Sequence, residues 1–156
     1  LIAMGARITL QLGSATREIA LEEFFLDYRK QDRKPGELLT QIDIPAQSHI
    51  QCYKLAKRRE QDISAVLAAV NIDREGTHIT RARLAFGGMA GTPKRARHAE
   101  EALVSAGWSE KGIRTAMAAM AQDFSPMSDM RASAAYRMEA AQNLLLRHYL
   151  VTEGLA

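Results

Sequence analysis

The sequence predicts an α+β fold in which a three-stranded antiparallel sheet packs against a bundle of three helices. Two observations predict this class. Up to Gly91, short segments alternate apolar and polar residues and are joined by glycine, proline and charged turn residues. After Gly91, apolar residues recur at helical spacing in three longer segments. Strands that precede the helices favour α+β over an alternating α/β arrangement.

In the N-terminal part of the chain, up to Pro45, the apolar pattern predicts strands and one helix. "ARITLQL" alternates Ile8 and Leu10 with polar residues, and "GSATREI" supplies a turn and a second strand. "LEEFFLDYRK", residues 21–30, has the apolar spacing of a helix. "LLTQIDIP" predicts a further strand, and we expect Pro45 to end it and to mark a sheet edge.

A second unit begins near His49. Three segments predict its strands: "HIQCYKLAK", "SAVLAAVNID" and "ITRARLAFGGMA". "REGTH" supplies a tight turn between the last two segments. Because strands joined by short connections pair with their neighbours, we expect an antiparallel meander.

Three helices follow these strands. Thr92 and Pro93 predict the start of the first helix, as its N-cap and first residue, and Gly107 predicts its end. Ser109 is the expected N-cap of the second helix, and the third is predicted over residues 130–151. We expect the methionines at helical spacing to fill the core: Met117, Met120, Met130 and Met138.

Composition limits the class of protein. The chain has 156 residues, of which 47% are apolar and 25% charged, which is typical of a folded globular domain. A net charge of +3 is too small to indicate nucleic acid by itself. No apolar run reaches the roughly 18 residues that cross a bilayer. With Cys52 as the one cysteine there is no internal disulfide, and we expect a reducing, cytoplasmic location.

The histidines and the cysteine predict no metal site and no nucleophile. His49, His78, His98 and His148 have no second ligand at metal spacing, so surface or packing roles are expected. Cys52 lacks a neighbouring His or Asp signature and is expected to be a small buried residue. No catalytic residue is predicted in the chain.

A glycine-rich segment, "FGGMAGTPKRA", precedes the first predicted helix of the second unit. Its spacing matches neither the Rossmann pattern nor the P-loop. A strand end with a close backbone approach and a capped helix is the favoured interpretation. Phosphate binding at the helix N-terminus stays open as the alternative.

Four cations lie within six residues of "YKLAKRREQD": Lys54, Lys57, Arg58 and Arg59. A solvated loop, contact with nucleic acid, and an anionic or electron-rich ligand are three open interpretations. Lys54 differs from the other cations because it lies within the predicted strand. It can therefore direct a point charge at one place near the end of the sheet.

Taken together, the motifs resemble a known family. "YKLAKRREQDISAV" and "FGGMAGTPKRA" resemble the flavoprotein part of xanthine dehydrogenases, in the molybdenum hydroxylase family. Upstream, "REIALEEFFLDYRKQDRKPGELLTQIDIP" is similar to the closing segment of that family's FAD-binding domain. Downstream, "SDMRASAAYRMEAAQNLLLRHYL" is similar to its last helix. The resemblance covers nearly the whole chain.

The resemblance implies a division into two pieces and an activity of the assembled enzyme. Residues 1–46 would be a β/α tail of the FAD-binding domain, and residues 47–156 a domain like the CO dehydrogenase flavoprotein C-terminal domain. Such enzymes hydroxylate purines at a molybdenum cofactor and pass electrons through two 2Fe–2S clusters to FAD and then to NAD. The iron–sulfur domain and the molybdenum-binding subunit would be partners of this chain.

The resemblance also carries over to particular residues. Leu39 matches an apolar residue that packs on the flavin, and Lys54 matches a lysine beside it. Arg58 falls in the flavin-side loop, where the nicotinamide arrives. Cations there would stabilise the reduced, anionic flavin. Gln61 departs from the pattern, because some members have an aspartate at this position.

The chain begins at Leu1 without an initiator methionine, so we expect a fragment that is inactive alone and binds FAD weakly or not at all. An apolar face left uncovered over residues 1–46 is expected to favour a homodimer, for example by strand exchange. The competing interpretation is a small basic module that binds nucleic acid or another acidic partner through residues 54–59.

Overall fold

The computed structural model describes residues 1–46 and 49–155. We call residues 1–46 the N-terminal unit and residues 49–155 the C-terminal unit. The strands are β1 (Arg7–Leu12), β2 (Ala15–Ala20), β3 (Phe25–Asp27), β4 (Lys30–Gln31), β5 (Leu38–Asp43), β6 (Gln51–Leu55), β7 (Val66–Glu75), β8 (His78–Gly87) and β9 (Lys94–Arg95). The α-helices are α1 (Leu21–Phe24), α2 (Arg97–Ala106), α3 (Glu110–Asp123) and α4 (Ala134–Thr152), and a 3-10 helix spans Ile2–Met4.

The N-terminal unit contains a three-stranded antiparallel sheet in the order β2-β1-β5. Ile8 and Leu10 on the central strand are fully buried, and their partners across β5 are Ile42 and Leu39. β5 forms an edge of this sheet, as the sequence predicts, and all six of its residues are exposed. The interior of the unit therefore lies on the face of β1 that carries Ile8 and Leu10.

The C-terminal unit contains an antiparallel sheet in the order β6-β7-β8-β9. The predicted meander of three strands is present, and the α+β class is confirmed. The short strand β9 is an addition that the sequence did not predict, because two residues carry no recognisable period. β9 pairs through Ala85 with Arg95 and through Phe86 with Lys94.

The two faces of this sheet have different neighbours. One face packs against the helices, with α2 against β8 and α4 against β7, while α3 lies against α2 and α4. That side holds the larger core, which includes Val66, Val70, Leu84, Phe86, Leu103, Ile113, Met120 and Leu145. The opposite face turns to the N-terminal unit, because Ala85 and Ala69 pack with Ile8 and Leu10.

The predicted helix over residues 21–30 is wrong beyond Phe24. α1 ends there, and β3 then pairs with β4 around Arg29, whose φ of 59° turns the chain back. Of the apolar residues that suggested a helix, Leu21 and Phe24 are buried, but Tyr28 is exposed and does not continue their buried face. Tertiary pairing overrides the local spacing here.

The predicted cap at Thr92 is also wrong. α2 begins at Arg97, because Lys94 and Arg95 are drawn into β9. The free backbone N–H groups of His98 and Ala99 donate to the carboxylate of Asp123, each at 3.0 Å. The cap is thus supplied by the end of α3, which is distant in sequence.

Other helix boundaries agree with the sequence more closely. Gly107 ends α2 with a φ of 78°, and the Ser109 hydroxyl accepts the Gly112 N–H at the start of α3. α4 begins at Ala134 with Ser133 as its N-cap, later than the predicted residue 130. Met130 therefore precedes the helix and is 85% exposed, so its predicted core role is wrong.

Cys52 is exposed rather than buried. It lies on β6, an outer strand, with its side chain on the face away from the helices. Across the helices of the described ranges, none is both long and apolar enough to cross a membrane.

Candidate functional site

Leu39 and Lys54 each lie on a sheet face that carries residues of the N-terminal core. Leu39 lies opposite Leu10, so its side chain is on the face of the first sheet that packs into this core. Lys54 shares one face of β6 with Cys52, whose cross-strand partner is Ala69. Since Ala69 packs against the same core, Lys54 lies on the face of the second sheet that turns toward the N-terminal unit.

The surface around Leu39 is apolar and accessible. Leu39 is 41% exposed, and Ile42 and Ile44 are exposed as well. The register places Ile42 opposite Ile8, on the same face as Leu39. Leu39 and Ile42 therefore present apolar surface next to the buried residues of β1.

The surface around Lys54 combines an apolar residue with a cation. Lys54 is exposed and lies opposite Leu67 on β7, which is 39% exposed. Leu67 in turn lies opposite Gly87 on β8. Gly87 leaves Leu67 without a large neighbour. This surface therefore presents exposed apolar carbon next to one positive charge.

The remaining cations lie in a loop that begins where β6 ends. We call residues 56–65 the basic loop; it contains Lys57, Arg58 and Arg59, all exposed. The Ala65 N–H donates to the Leu55 carbonyl at 2.7 Å and closes the loop at its base. Arg58 is thereby held near the end of the strand that carries Lys54.

Asp62 is the acidic residue that organises the basic loop, and sequence reasoning did not single it out. Its carboxylate accepts the backbone N–H of Arg58 at 3.0 Å. This hydrogen bond lowers the pKa of Asp62, assisted by a second backbone N–H from Ile63 and by the charges of Arg58 and Lys54. Gln61 precedes it with a φ of 52°, a left-handed turn residue. The Asp62 carboxylate, one residue after Gln61, is thus engaged within the basic loop itself.

The histidines occupy packing and surface positions. His148 is buried, and its Nδ1 lies 3.1 Å from the Tyr53 hydroxyl. Burial lowers the pKa of His148, so the ring is neutral near pH 7. Over residues 1–46 and 49–155, no three His, Cys, Asp or Glu side chains are grouped to hold a metal ion.

The glycine-rich segment acts as a turn against the basic loop. Gly88 has a φ of 82°, and a Cβ there would lie 2.2 Å from the Ala65 carbonyl oxygen. This close backbone approach is the interpretation that the sequence favoured for the segment.

Two family models match the chain. The FAD binding domain in molybdopterin dehydrogenase matches residues 1–47, and the CO dehydrogenase flavoprotein C-terminal domain matches residues 51–152. Together with the fold, these matches define the class of protein: the FAD-binding part of a molybdenum-dependent oxidoreductase. The chain belongs to the CO dehydrogenase flavoprotein C-terminal domain family, within the molybdenum hydroxylases.

Curated relatives come from several enzymes of this kind. The chain is 33% identical over 134 residues to xanthine dehydrogenase/oxidase of Gallus gallus, covering 81% of the chain and 10% of that protein. It is 31% identical to nicotinate hydroxylase of Emericella nidulans, with coverages of 96% and 12%. It is 29% identical to the glyceraldehyde dehydrogenase medium chain of Sulfolobus acidocaldarius, with coverages of 96% and 53%. The chain thus spans about half of this last relative's length and much less of the others.

Solved structures share the fold. Carbon monoxide dehydrogenase from Hydrogenophaga pseudoflava matches with a TM-score of 0.86 at 26% identity, over 94% of this chain and 52% of that one. Reconstituted CO dehydrogenase from Oligotropha carboxidovorans gives 0.85 at 28% identity, with coverages of 94% and 52%. Quinoline 2-oxidoreductase from Pseudomonas putida 86 gives 0.83 at 24% identity, with coverages of 99% and 54%, which shows the fold alone.

The chemistry of these residues is compatible with an isoalloxazine ring. Such a ring is flat and apolar on its faces and carries negative charge when reduced. Leu39 and Ile42 offer exposed apolar surface that could contact a ring face, and Lys54 is an exposed cation that could compensate the charge of the reduced ring.

Proposed function

We propose that this chain is the C-terminal part of the FAD subunit of a xanthine dehydrogenase. In the assembled enzyme, electrons from purine hydroxylation would pass through iron–sulfur clusters to FAD and on to NAD. The observation that carries the proposal is that Leu39 and Lys54, the two residues matched to flavin contacts, are both exposed on sheet faces that carry residues of the N-terminal core. The 33% identity to xanthine dehydrogenase/oxidase of Gallus gallus supports the choice of purine as substrate.

Three residues would bind the cofactor in this proposal. Leu39 packs on the ring, Lys54 places its ammonium group beside it, and Arg58 adds charge from the basic loop. FAD, when bound, supplies the electron-accepting chemistry. The cations favour its reduced state and attract the phosphates of an incoming dinucleotide. None of these residues transfers a proton or forms a covalent bond.

The proposal includes the organisation of the assembly. Residues 1–46 complete the FAD-binding domain, and residues 47–156 form the C-terminal domain; the boundary at Gln47 lies outside the described residues. The molybdenum cofactor and the 2Fe–2S clusters belong to other domains or to a partner subunit. A homodimer formed through residues 1–46, for example by strand exchange, and a cytoplasmic location, remain predictions.

Reduction of the flavin by candidate substrates tests the proposal. The complete subunit is produced with its molybdenum and iron–sulfur partners, and the flavin absorbance is followed anaerobically. We expect xanthine or hypoxanthine to bleach it and NAD to restore it. Bleaching by carbon monoxide, an aldehyde or nicotinate but not by a purine would overturn the purine assignment. An assembled enzyme without flavin would overturn the proposal as a whole.

The competing interpretation, a module that binds nucleic acid, is tested on the same material. Retention on DNA or RNA columns is measured as the salt concentration rises. Contact with phosphates through residues 54–59 would give a steep dependence on salt. A shallow dependence together with a reducible flavin favours the oxidoreductase.

A further inference from the structure

Arg137, on the first turn of α4, holds the basic loop at its base. The side chain is 4% exposed, and one terminal nitrogen of the guanidinium donates to the carbonyls of Ala65 and of Gly88, the latter at 3.0 Å. Ala65 is the last residue of the basic loop, and Gly88 starts the glycine-rich turn. A single buried cation therefore ties the loop to the sheet end beside it.

A turn before α4 fixes the direction of Arg137. The other terminal nitrogen of Arg137 donates to Asp129 at 2.7 Å. The same carboxylate oxygen accepts the backbone N–H groups of Arg131 and Ala132, at 2.8 and 3.1 Å. These bonds lower the pKa of Asp129 to about 2, so it stays charged.

The same turn also reaches the start of the basic loop. The Lys57 ammonium group donates to the Met130 carbonyl at 2.6 Å. The segment around Asp129 and Met130 thus contacts the loop at both ends, through Lys57 directly and at Ala65 through Arg137. Within the described residues, no hydrogen bond joins the side chain of Arg58 or Arg59 to another element, and the backbone N–H of Arg58 donates to Asp62 inside the loop.

Arg137 is buried, so its hydrogen bonds must offset the cost of removing its charge from water. Its Nε is buried without a hydrogen-bond partner in the described structure. Removing a guanidinium from water is unfavourable unless its donors are used well, and a shorter lysine cannot span three acceptors from three segments.

We propose that Arg137, oriented by Asp129, is a positioning residue that sets where the basic loop presents its cations at the flavin-facing margin. The inference rests on the proposed function for its consequence at the flavin, but its first step concerns this chain alone. Without the two terminal guanidinium nitrogens of Arg137, the hydrogen bonds to Ala65 and Asp129 cannot both form, and the end of the basic loop at Ala65 is released. The cations of the loop then spend less time near Lys54. The reduced flavin would be less stabilised and its midpoint potential would fall.

The first variant is Arg137→Lys, which keeps the charge but loses the forked guanidinium contacts. The second is Asp129→Asn, which is expected to disturb the fold less because Asp129 is exposed whereas Arg137 is buried. Arg131→Lys is the matched control, since Arg131 contacts Asp129 at 3.6 Å from the solvent side. All are made in the complete subunit, assembled with its partners.

Two measurements separate the steps. Native trypsin cleavage after Lys57, Arg58 and Arg59, quantified by mass spectrometry, reports loop opening, and redox titration gives the flavin midpoint potential. We expect cleavage to rise about tenfold in Arg137→Lys and to rise in Asp129→Asn, but to change less than about twofold in Arg131→Lys. The flavin potential is expected to fall in the first two variants only.

Each outcome decides one step. Unchanged cleavage in both Arg137→Lys and Asp129→Asn overturns the inference, whatever the flavin does. Accelerated cleavage with an unchanged potential supports the anchoring of the loop by Arg137 but overturns its effect on the flavin, and with it the placement of the loop in the proposed function. Equal acceleration in Arg131→Lys shows a general loosening and also overturns the inference.

Discussion

At the scale of single residues, Gly88 and Lys54 illustrate two different demands on a side chain. At Gly88 there is no room for a side chain, because the backbone passes close to the Ala65 carbonyl. Lys54 is exposed, so we expect its charge rather than its packing to matter. The first is expected to matter for stability and the second for redox properties.

Replacing Gly88 is expected to destabilise the fold. In Gly88→Ala the new Cβ would lie 2.2 Å from the Ala65 oxygen, at a φ of 82°. We expect the free energy of unfolding to fall by about 3 kcal/mol, measured by urea denaturation. Gly76→Ala is the control, since Gly76 has a φ of 59° and open space around it; a loss of about 1 kcal/mol is expected. Similar losses in both would show that the contact with Ala65 contributes nothing.

Replacing Lys54 is expected to change the flavin and not the fold. In Lys54→Gln, a reduced anionic flavin loses a compensating charge, and its midpoint potential is expected to fall by about 30 mV in the assembled enzyme. The melting temperature should stay constant, because Lys54 is exposed. Lys111→Gln, on α3, is the control for loss of a surface charge. A potential equal to that of the wild type would contradict the cofactor role of Lys54.

At the scale of elements, the helices and strands depend on contacts that are distant in sequence. α2 takes its cap from Asp123 at the end of α3. The connection between β4 and β5 is held by Arg17 on β2, which pairs with Asp32 and Glu37. Both contacts join elements rather than stabilise one from within.

The cap of α2 can be tested with two substitutions. Asp123→Ala removes the acceptor for the His98 and Ala99 N–H groups and is expected to lower the free energy of unfolding by about 2 kcal/mol. Thr92→Ala, at the cap that the sequence predicted, is expected to change it by less than about 0.5 kcal/mol. Denaturation midpoints measure both. A larger loss for Thr92→Ala would reverse this assignment.

Arg17 and Glu37 give the N-terminal unit a defined acid sensitivity. Glu37 is 4% exposed and accepts two hydrogen bonds from the Arg17 guanidinium, each at 2.8 Å. These bonds lower the pKa of Glu37 from 4.5 to about 2. Because the folded value is the lower one, the stabilisation is complete above pH 4.5 and is lost as the pH falls toward about 2.

The measurement is the melting temperature as a function of pH. Glu37→Gln should be less stable than the wild type near pH 7 and should lose less stability on acidification through that window. Part of the acid dependence should remain, because the pKa of Asp129 is also about 2. Glu110→Gln, in an exposed ion pair with Arg114, should retain the full dependence. Parallel curves for Glu37→Gln and the wild type would count against this role.

At the scale of the whole molecule, Glu22 joins the two units. Its carboxylate on α1 accepts hydrogen bonds from Arg83 at 2.8 Å, from Arg95 at 3.0 Å and from Arg97 at 2.8 Å. Burial lowers the pKa of Arg83, although the nearby carboxylates act in the opposite direction. The N-terminal unit thus neutralises cations that the C-terminal sheet holds at the interface.

Removal of this charge is expected to weaken the whole fold. Glu22→Gln leaves partly buried guanidinium groups without their anion, and we expect a loss of about 3 kcal/mol in urea denaturation. Glu23→Gln, at the exposed neighbouring position, should change stability by less than about 0.5 kcal/mol. If the two variants lose the same amount, Glu22 does not couple the units.

Part of the candidate site could be predicted from the sequence. Leu39, Lys54 and Arg58 were singled out through the resemblance to the xanthine dehydrogenases, and the basic loop was visible as a charge cluster. Asp62 had a weak signal, as an aspartate in a loop that can accept a backbone N–H. Arg137 had none, because a charged residue within an apolar helix pattern is normally assigned to the exposed side.

The sequence by itself determined the α+β class, the strands of the meander, the two later helices and the family, since these depend on local periodicity and on contiguous motifs. Only the tertiary structure decided that Leu39 stays exposed on an edge strand, that Asp123 caps α2, and that Arg137 and Glu22 join distant segments. The physical reason is that these contacts join residues far apart along the chain. Their partners exist only once the sheets and helices have packed, so no local pattern records them.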